Sequence, residues 1–279
     1  MEQFHGFQKR KDFLVCIDSD GCVMDTMDIK HIRCFAPCLI EEWALDDYAQ
    51  EVMYCWNQVN LYSMTRGINR FQALSIVLEQ VSRQLRQMEG LEVLAAWIHQ
   101  DKALSEQSLA EQLECCSSPI LKKVLHWSQE VNRRIGQLPE MAVTAFPGAR
   151  EAIARIHEMA DVVVVSSANY EAVEGEWRRL GLTDHVDLVL AQNAGSKAQC
   201  IRQLLSCGYD VKRTLMIGDA PGDMDAAKEN AICFYPILTT HEAASWKEAA
   251  AAVELMRSGA YEGTCQTQKE YAFLQNLRA

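Results

Sequence analysis

A regular alternation of short apolar runs and amphipathic segments fills the second half of the chain, and it constrains the fold more than any other feature. These runs lie at 162–165, 186–190, 214–217 and 232–235, with an amphipathic segment before and between them, and Asp187 and Thr214 are their polar residues. Runs of four or five apolar residues are typical of strands that are buried on both faces of a sheet. Because strands that alternate strictly with helices form βαβ units, this half of the chain predicts a doubly wound parallel sheet.

A fifth apolar run near the start of the chain, at 13–17, ends abruptly at Asp18-Ser19-Asp20-Gly21. Two carboxylates this close in the chain repel each other unless a cation lies between them or one of them takes a proton. The pair therefore indicates metal binding, acid–base catalysis or both. A turn that merely caps the next helix stays open as an alternative.

More than a hundred residues with helical periodicity lie between these two parts. Helices are predicted at, among others, 91–103, 105–114 and 120–135. A chain of 279 residues can bury one sizeable core and a second, smaller one. We therefore predict an α/β fold with a Rossmann-like core domain at 1–26 and 145–279, into which an all-α domain at 27–144 is inserted.

The composition limits the partners and the surroundings that we expect for this chain. Its net charge of −11, without a basic cluster, argues against nucleic acid or an anionic membrane as a partner. Its eleven cysteines are odd in number and show no repeated metal-binding spacing, so we expect reduced thiols in the cytoplasm. The polar first residues precede an apolar run that is too short for a signal peptide or a membrane span, which favours the same location.

Polar side chains gather at the carboxyl ends of the predicted strands, and right-handed crossovers bring these ends to one edge of a parallel sheet. The residues concerned are Asp18, Asp20, Ser166, Ser167, Asp219 and Asp223, with Lys197 at the start of the helix after the third of the five strands. Carboxylates supply hard ligands for Mg²⁺, while hydroxyl and ammonium groups bind phosphate oxygens. The pattern therefore predicts Mg²⁺ as the cofactor of a site for phosphoryl chemistry.

With these residues the chain resembles the haloacid dehalogenase superfamily of phosphohydrolases. The four motifs of that superfamily occur in order, as Asp18-Ser-Asp20-Gly, Ser166 after four valines, Lys197, and Gly218-Asp219-Ala-Pro-Gly-Asp223. The resemblance covers about 1–26 and 145–240. The helical insertion is similar to the superfamily's α-helical cap of the first type, as in phosphoglycolate phosphatases and β-phosphoglucomutases.

This resemblance implies a role for each motif carboxylate. Asp18 would be the nucleophile that forms an aspartyl phosphate, and Asp20 would act first as general acid and then as general base. Asp18, the backbone carbonyl of Asp20, and Asp219 would hold Mg²⁺, with Asp223 as a further ligand. Because true haloacid dehalogenases lack an aspartate at the position of Asp20, its presence favours phosphate ester chemistry.

The resemblance also implies contacts to the phosphate and to the rest of the substrate. Ser166 and Lys197 would bind the phosphate. The other predicted substrate-binding residues are Ser167, Asn169, Arg66 and Arg70. The two arginines flank a turn in the insertion that resembles the specificity loop of such caps, and two guanidinium groups suit a second anionic group. A pair of solvated arginines beside a turn is the alternative.

Taken together, these features predict a cytoplasmic, Mg²⁺-dependent phosphatase for a small phosphorylated metabolite, present as a monomer or homodimer. A phosphosugar mutase of the β-phosphoglucomutase kind is an alternative. It is disfavoured because the cap histidine of those enzymes aligns with Lys30, and His31 is one residue off, a rotation of about 100° on a helix. A catalytically weak protein that binds a phosphorylated metabolite is the other alternative.

Overall fold

Five strands form a parallel sheet in this computed structural model, which describes residues 4, 6–100 and 104–278. The strands are Leu14–Ile17 (β1), Asp161–Val165 (β2), Leu188–Leu190 (β3), Thr214–Gly218 (β4) and Cys233–Pro236 (β5). Their order in the sheet is β3-β2-β1-β4-β5, so that Cys16 of β1 lies in register with Val163 of β2 and Met216 of β4. The four consecutive valines of β2 are buried, as expected for a parallel sheet with helices on both faces. The predicted α/β fold is confirmed.

The chain divides into two compact units. One unit contains the chain up to Thr26 and from Val143 onward, and it includes the whole sheet. The other unit, Met27–Ala142, is the helical insertion. Positions 1–3, 5, 101–103 and 279, which fall within the predicted domains and, for 101–103, within a predicted helix, lie outside the described residues.

The insertion forms around a hydrophobic core of its own. Its helices are Met27–Lys30 (α1), Ala36–Glu42 (α2), Ala49–Asn60 (α3), Arg70–Gln84 (α4), Leu91–Ile98 (α5), Glu106–Cys115 (α6) and Pro119–Ile135 (α7). A π-helical turn, His31–Phe35, joins α1 to α2. The rings of Trp56 and Trp127 pack edge to face with their centres 5.7 Å apart, and both side chains are fully buried. These large aromatic side chains therefore form part of the centre of the helical unit.

In the described part of the chain, six further α-helices belong to the unit that contains the sheet. They are Ala149–Met159 (α8), Tyr170–Arg179 (α9), Lys197–Ser206 (α10), Pro221–Glu229 (α11), Glu242–Arg257 (α12) and Thr264–Asn276 (α13). Asn169 and Ser196 cap α9 and α10 by accepting hydrogen bonds from Ala172 N and Gln199 N, each at 3.2 Å. Pro221 stands at the first position of α11, where a backbone N–H would have no helical partner. These local signals start α9, α10 and α11 at the carboxyl ends of the preceding strands.

None of the helices in the described ranges combines the length and the apolar character that a membrane crossing requires.

The two linkers that lead into and out of the insertion run side by side within the sheet-containing unit. The amide of Asp25 donates to the carbonyl of Thr144, and the amide of Phe146 donates to the carbonyl of Val23, each at 2.8 Å. Between these two hydrogen bonds, Met24 and Ala145 form an antiparallel bridge. The chain therefore leaves this unit and returns to it at neighbouring points.

Candidate active site

Asp18 and Asp219 lie at the same edge of the sheet because the strands that precede them are neighbours. β1 and β4 pair in parallel, with Ile17 in register with Ile217. The amide of Asp18 donates to the carbonyl of Ile217 at 3.0 Å, which extends the ladder by one residue. Residues that are far apart in the sequence are thus brought together at the carboxyl ends of two central strands.

Asp223 joins these two residues in a cluster of three buried carboxylates. It lies in the first turn of α11, where its Oδ2 accepts a hydrogen bond from Ala220 N at 3.0 Å. One carboxylate oxygen of each of Asp18, Asp219 and Asp223 lies within 4.8 Å of the others. The three residues are 6%, 1% and 0% exposed. Asp18, Asp219 and Asp223 are called the carboxylate cluster below.

Gly218 leaves the space that the carboxylate of Asp223 occupies. A Cβ atom at position 218 would lie 2.3 Å from Cγ of Asp223, far inside van der Waals contact. We expect Gly218→Ala to lower the free energy of unfolding by about 1–3 kcal/mol, because the carboxylate must move from a packed site. Urea unfolding measures this change.

Gly175 offers a matched control for this substitution. It lies within α9, and a Cβ atom there would meet nothing within 4 Å. Gly175→Ala should therefore raise the free energy of unfolding by about 0.5–1 kcal/mol, since alanine favours a helix over glycine. Equal effects of the two substitutions would contradict a tight fit at Gly218.

Lys197 connects two members of the carboxylate cluster. It is the first residue of α10, and its Nζ lies 2.9 Å from Oδ1 of Asp18 and 2.5 Å from Oδ1 of Asp223. Burial acts to lower the pKa of Lys197, but the nearby carboxylates of Asp18 and Asp223 outweigh it and raise the pKa. The side chain is therefore a cation that these two carboxylates hold in place.

The charge balance and the donor atoms of the cluster fit a divalent cation. Burial raises the pKa of Asp18 well above its ordinary value; Lys197 opposes this shift, and the charges of Asp223 and Asp219 add to it. Lys197 supplies one positive charge against three carboxylates, so further positive charge would stabilise their ionised forms. Carboxylate oxygens are the hard ligands that Mg²⁺ prefers in proteins.

Asp20 follows Asp18 by two residues in the chain and lies in a tight turn that its neighbours in the sequence stabilise. Gly21 has a φ of 79°, which favours glycine, and its amide donates to the carbonyl of Met24 at 2.9 Å. The hydroxyl of Thr26 donates to Oδ1 of Asp20 at 2.5 Å. Asp20 is half-buried, and its carboxylate is held by this turn.

The loop after β2 carries the predicted phosphate and substrate residues Ser166, Ser167 and Asn169. Ser166 is buried, and its Oγ accepts a hydrogen bond from Ala168 N at 3.1 Å. Ser167 is exposed, and Asn169 is the N-cap of α9. Because β2 is the parallel neighbour of β1, this loop lies at the same edge of the sheet as Asp18.

Sequence reasoning missed two tryptophans that hold the loop between Asp18 and the insertion. The indole N–H of Trp177 donates to Oγ of Ser19 at 2.9 Å, and that of Trp246 donates to the carbonyl of Cys22 at 2.8 Å. Both tryptophans are fully buried. The sequence pattern marks them only as apolar residues on helices, because no local signal reveals a hydrogen-bond partner so distant in the chain.

The two arginines predicted to bind substrate contact other groups of the helical unit. Arg66 is 2% exposed, and its Nη1 donates to the carbonyl of Leu61 at 2.8 Å. Nη1 of Arg70 donates to Ser128 Oγ at 3.1 Å and to Asn132 Oδ1 at 2.7 Å, both on α7. With these contacts, the two arginines are not the pair of solvated side chains that the sequence left open as the alternative. A role of either arginine in substrate binding stays a prediction.

Comparisons with known proteins agree with this fold. A sequence model of the haloacid dehalogenase-like hydrolase family matches residues 14–230. A comparison with curated proteins gave no match.

Solved structures with similar folds cover nearly the whole chain. One is a candidate phosphoglycolate phosphatase from Lactobacillus delbrueckii subsp. bulgaricus, with a TM-score of 0.54, 12% identity, and coverage of 88% of this chain and 99% of that chain. Another is a haloacid dehalogenase-like family hydrolase from Xanthomonas campestris, with a TM-score of 0.53, 16% identity, and coverage of 91% and 97%. At such low identities these similarities show the fold alone.

Proposed function

The chain belongs to the haloacid dehalogenase-like hydrolase family, and from this premise we propose that it is a Mg²⁺-dependent phosphatase that hydrolyses a small phosphorylated metabolite. The observation that carries the proposal is the carboxylate cluster together with Lys197, which contacts two of its members, Asp18 and Asp223. This arrangement supports the proposal because it would bring a nucleophile, ligands for a cation and a group that binds phosphate oxygens to one edge of the sheet.

In the first half of the proposed reaction, Asp18 attacks the phosphorus of the substrate. A bond forms between a carboxylate oxygen of Asp18 and phosphorus, and the bond from phosphorus to the leaving oxygen breaks. Asp20 gives its proton to that oxygen, which leaves as an alcohol. The product of this half is an aspartyl phosphate on Asp18.

In the second half, a water molecule attacks the phosphorus of the aspartyl phosphate. Asp20, now a carboxylate, takes a proton from the water as its oxygen bonds to phosphorus. The bond from phosphorus to Asp18 breaks, and inorganic phosphate leaves. Asp18 and Asp20 are thereby returned to their starting forms.

The residues that would hold the cation are Asp18, Asp219 and Asp223, with the backbone carbonyl of Asp20. When bound, Mg²⁺ supplies positive charge that offsets the negative charge of the carboxylates and of the phosphoryl oxygens. Lys197 binds phosphate oxygens and keeps the carboxylate of Asp18 in place for attack. Ser166 binds the same phosphate, and we assign contacts with the rest of the substrate to Ser167 and Asn169.

The proposed substrate is a small metabolite rather than a nucleic acid or a membrane lipid. This part of the proposal rests on the net charge of −11, which disfavours large polyanionic partners. A cytoplasmic location and a monomeric or homodimeric state stay predictions.

An activity screen with and without Mg²⁺ tests the proposed function. The purified protein is assayed with 4-nitrophenyl phosphate and with a panel of phosphorylated sugars, nucleotides and small acids. We expect hydrolysis with Mg²⁺ that falls by at least about a hundredfold when EDTA is added, and recovers when Mg²⁺ is restored.

Two other outcomes of this screen would each favour a rival. If no phosphate ester is hydrolysed above background, a protein that only binds a phosphorylated metabolite becomes the better explanation. If turnover requires a sugar bisphosphate, a phosphosugar mutase becomes the better explanation.

A further inference from the structure

We propose that Trp177 is a positioning residue that fixes Asp20 relative to Asp18 through its hydrogen bond to Ser19. The inference rests on the proposed function, in which Asp18 is the nucleophile and Asp20 the general acid. Its structural basis is the 2.9 Å contact from the indole N–H of Trp177 to Oγ of Ser19, the residue between the two aspartates.

Ser19 joins Asp18, which extends the ladder of the sheet, to Asp20, which lies in the following turn. Asp18 is fixed by its amide, which donates to Ile217, and by its carboxylate, which contacts Lys197. Asp20 lies past the end of β1, in the turn that Gly21 closes. The backbone conformation of Ser19 therefore determines where the Asp20 carboxylate stands relative to Asp18.

Both the backbone and the side chain of Ser19 are held. Its carbonyl accepts hydrogen bonds from the amides of Val23 and Met24, each at 2.9 Å. These bonds fix the peptide plane that leads to Asp20. The indole of Trp177 fixes the hydroxyl of Ser19, which is fully buried and so cannot exchange this partner for bulk water.

Trp177 is suited to this task because its ring is a rigid donor in a packed environment. An indole N–H can only donate, and the ring of Trp177 is fully buried in the core of the sheet-containing unit. Trp177 lies on α9, which begins directly after the loop that carries Ser166. The same helix therefore connects the predicted phosphate-binding loop to the loop that carries both catalytic aspartates.

A displaced Asp20 would slow the hydrolysis of a substrate more strongly when the leaving oxygen of that substrate is more basic. A basic leaving oxygen needs a proton as the bond to phosphorus breaks, whereas a stable phenolate can leave without one. Phenyl phosphate and 4-nitrophenyl phosphate share a ring and differ mainly in this property. The ratio of their kcat/KM values therefore reports the position of the general acid, because kcat/KM excludes the later hydrolysis of the aspartyl phosphate.

The test compares this ratio in wild type, Trp177→Phe, Ser19→Ala and the double variant, all in Mg²⁺. We expect Trp177→Phe to lower kcat/KM about tenfold or more for phenyl phosphate and less than about threefold for 4-nitrophenyl phosphate. Ser19→Ala removes the acceptor with a smaller change in volume and should shift the ratio in the same direction. Because both substitutions break one hydrogen bond, the double variant should resemble the single variants within about twofold.

Tyr261→Phe provides the matched control for the loss of a buried hydrogen bond. The hydroxyl of Tyr261 donates to the carbonyl of Phe234 at 2.8 Å, and Phe234 lies on β5, which β4 separates from β1 in the sheet of the same unit. This variant should leave the ratio of the two kcat/KM values unchanged, even if thermal unfolding shows a lower midpoint.

The outcomes separate this inference from the proposed function. If wild type is active and both Trp177→Phe and Ser19→Ala keep its ratio, Trp177 is a core residue only and the inference is wrong. If Trp177→Phe does not fold, Ser19→Ala alone decides. Wild-type protein that hydrolyses neither phosphate would overturn the proposed function, and the inference with it.

Discussion

Asp18→Asn is expected to reduce kcat for 4-nitrophenyl phosphate by at least about a thousandfold. The carboxamide has nearly the shape of the carboxylate but lacks the charged oxygen that attacks phosphorus. Steady-state hydrolysis in Mg²⁺ measures the loss. Acid quenching during turnover adds a direct readout, since wild type should carry a covalently bound phosphoryl group and Asp18→Asn should not.

The same substitution should not destabilise the fold. Burial raises the pKa of Asp18, so the ionised side chain lowers the stability of the folded state at neutral pH when no cation is bound. We therefore expect Asp18→Asn to have the same free energy of unfolding as wild type in EDTA, or a higher one. Asp225→Asn, at an exposed position of α11, is the matched control and should keep full activity. More than about a tenth of wild-type activity in Asp18→Asn would exclude Asp18 as the nucleophile.

Lys197→Met is expected to lower both activity and stability. The substitution removes the contacts of Nζ with Asp18 at 2.9 Å and with Asp223 at 2.5 Å. Both carboxylates are then buried without this positive charge. Removing one partner of a buried ion pair costs about 3–5 kcal/mol. In EDTA, urea unfolding should show a loss of this order. Activity in Mg²⁺ should fall at least about a hundredfold, because the phosphate also loses a cation.

Added Mg²⁺ should separate the two effects of Lys197→Met. A cation bound by the remaining carboxylates would restore part of the lost stability, as any ligand of the folded state does, but it would not replace the lysine at the phosphate. Lys228→Met removes an exposed lysine from α11 and should change neither property appreciably. Equal losses of stability and activity in Lys197→Met and Lys228→Met would mean that the contacts of Lys197 contribute to neither property.

The fold could be predicted from the sequence because its strands are short, apolar and separated by helices. The four valines of β2 and the apolar residues of β1 have the composition of strands buried on both faces, and both are central strands of the sheet. The order of the strands was not predicted, since it depends on which crossovers pass to which side of β1. That order makes β1 and β4 neighbours, and so brings Asp18 and Asp219 to one place.

Sequence reasoning could place carboxylates at strand ends, but it could not identify the residues that orient them. The contact of Trp177 with Ser19 and that of Thr26 with Asp20 follow from packing and from the path of a turn. Arg70 shows the same limit. The resemblance of its turn to a specificity loop predicts a contact with substrate, which stays a prediction, but gives no sign of its hydrogen bonds to Ser128 and Asn132 on α7.

The paired linkers have a consequence for how such a protein can change over time. The chain leaves and rejoins the sheet-containing unit at adjacent backbone positions, near Val23 and Phe146. An inserted segment therefore fits between these positions whenever its own two ends lie close together. Helices can be lengthened, shortened or exchanged there while the order of the strands stays as it is. Selection can therefore act on the inserted segment and on the carboxylate cluster as separate modules of one gene product.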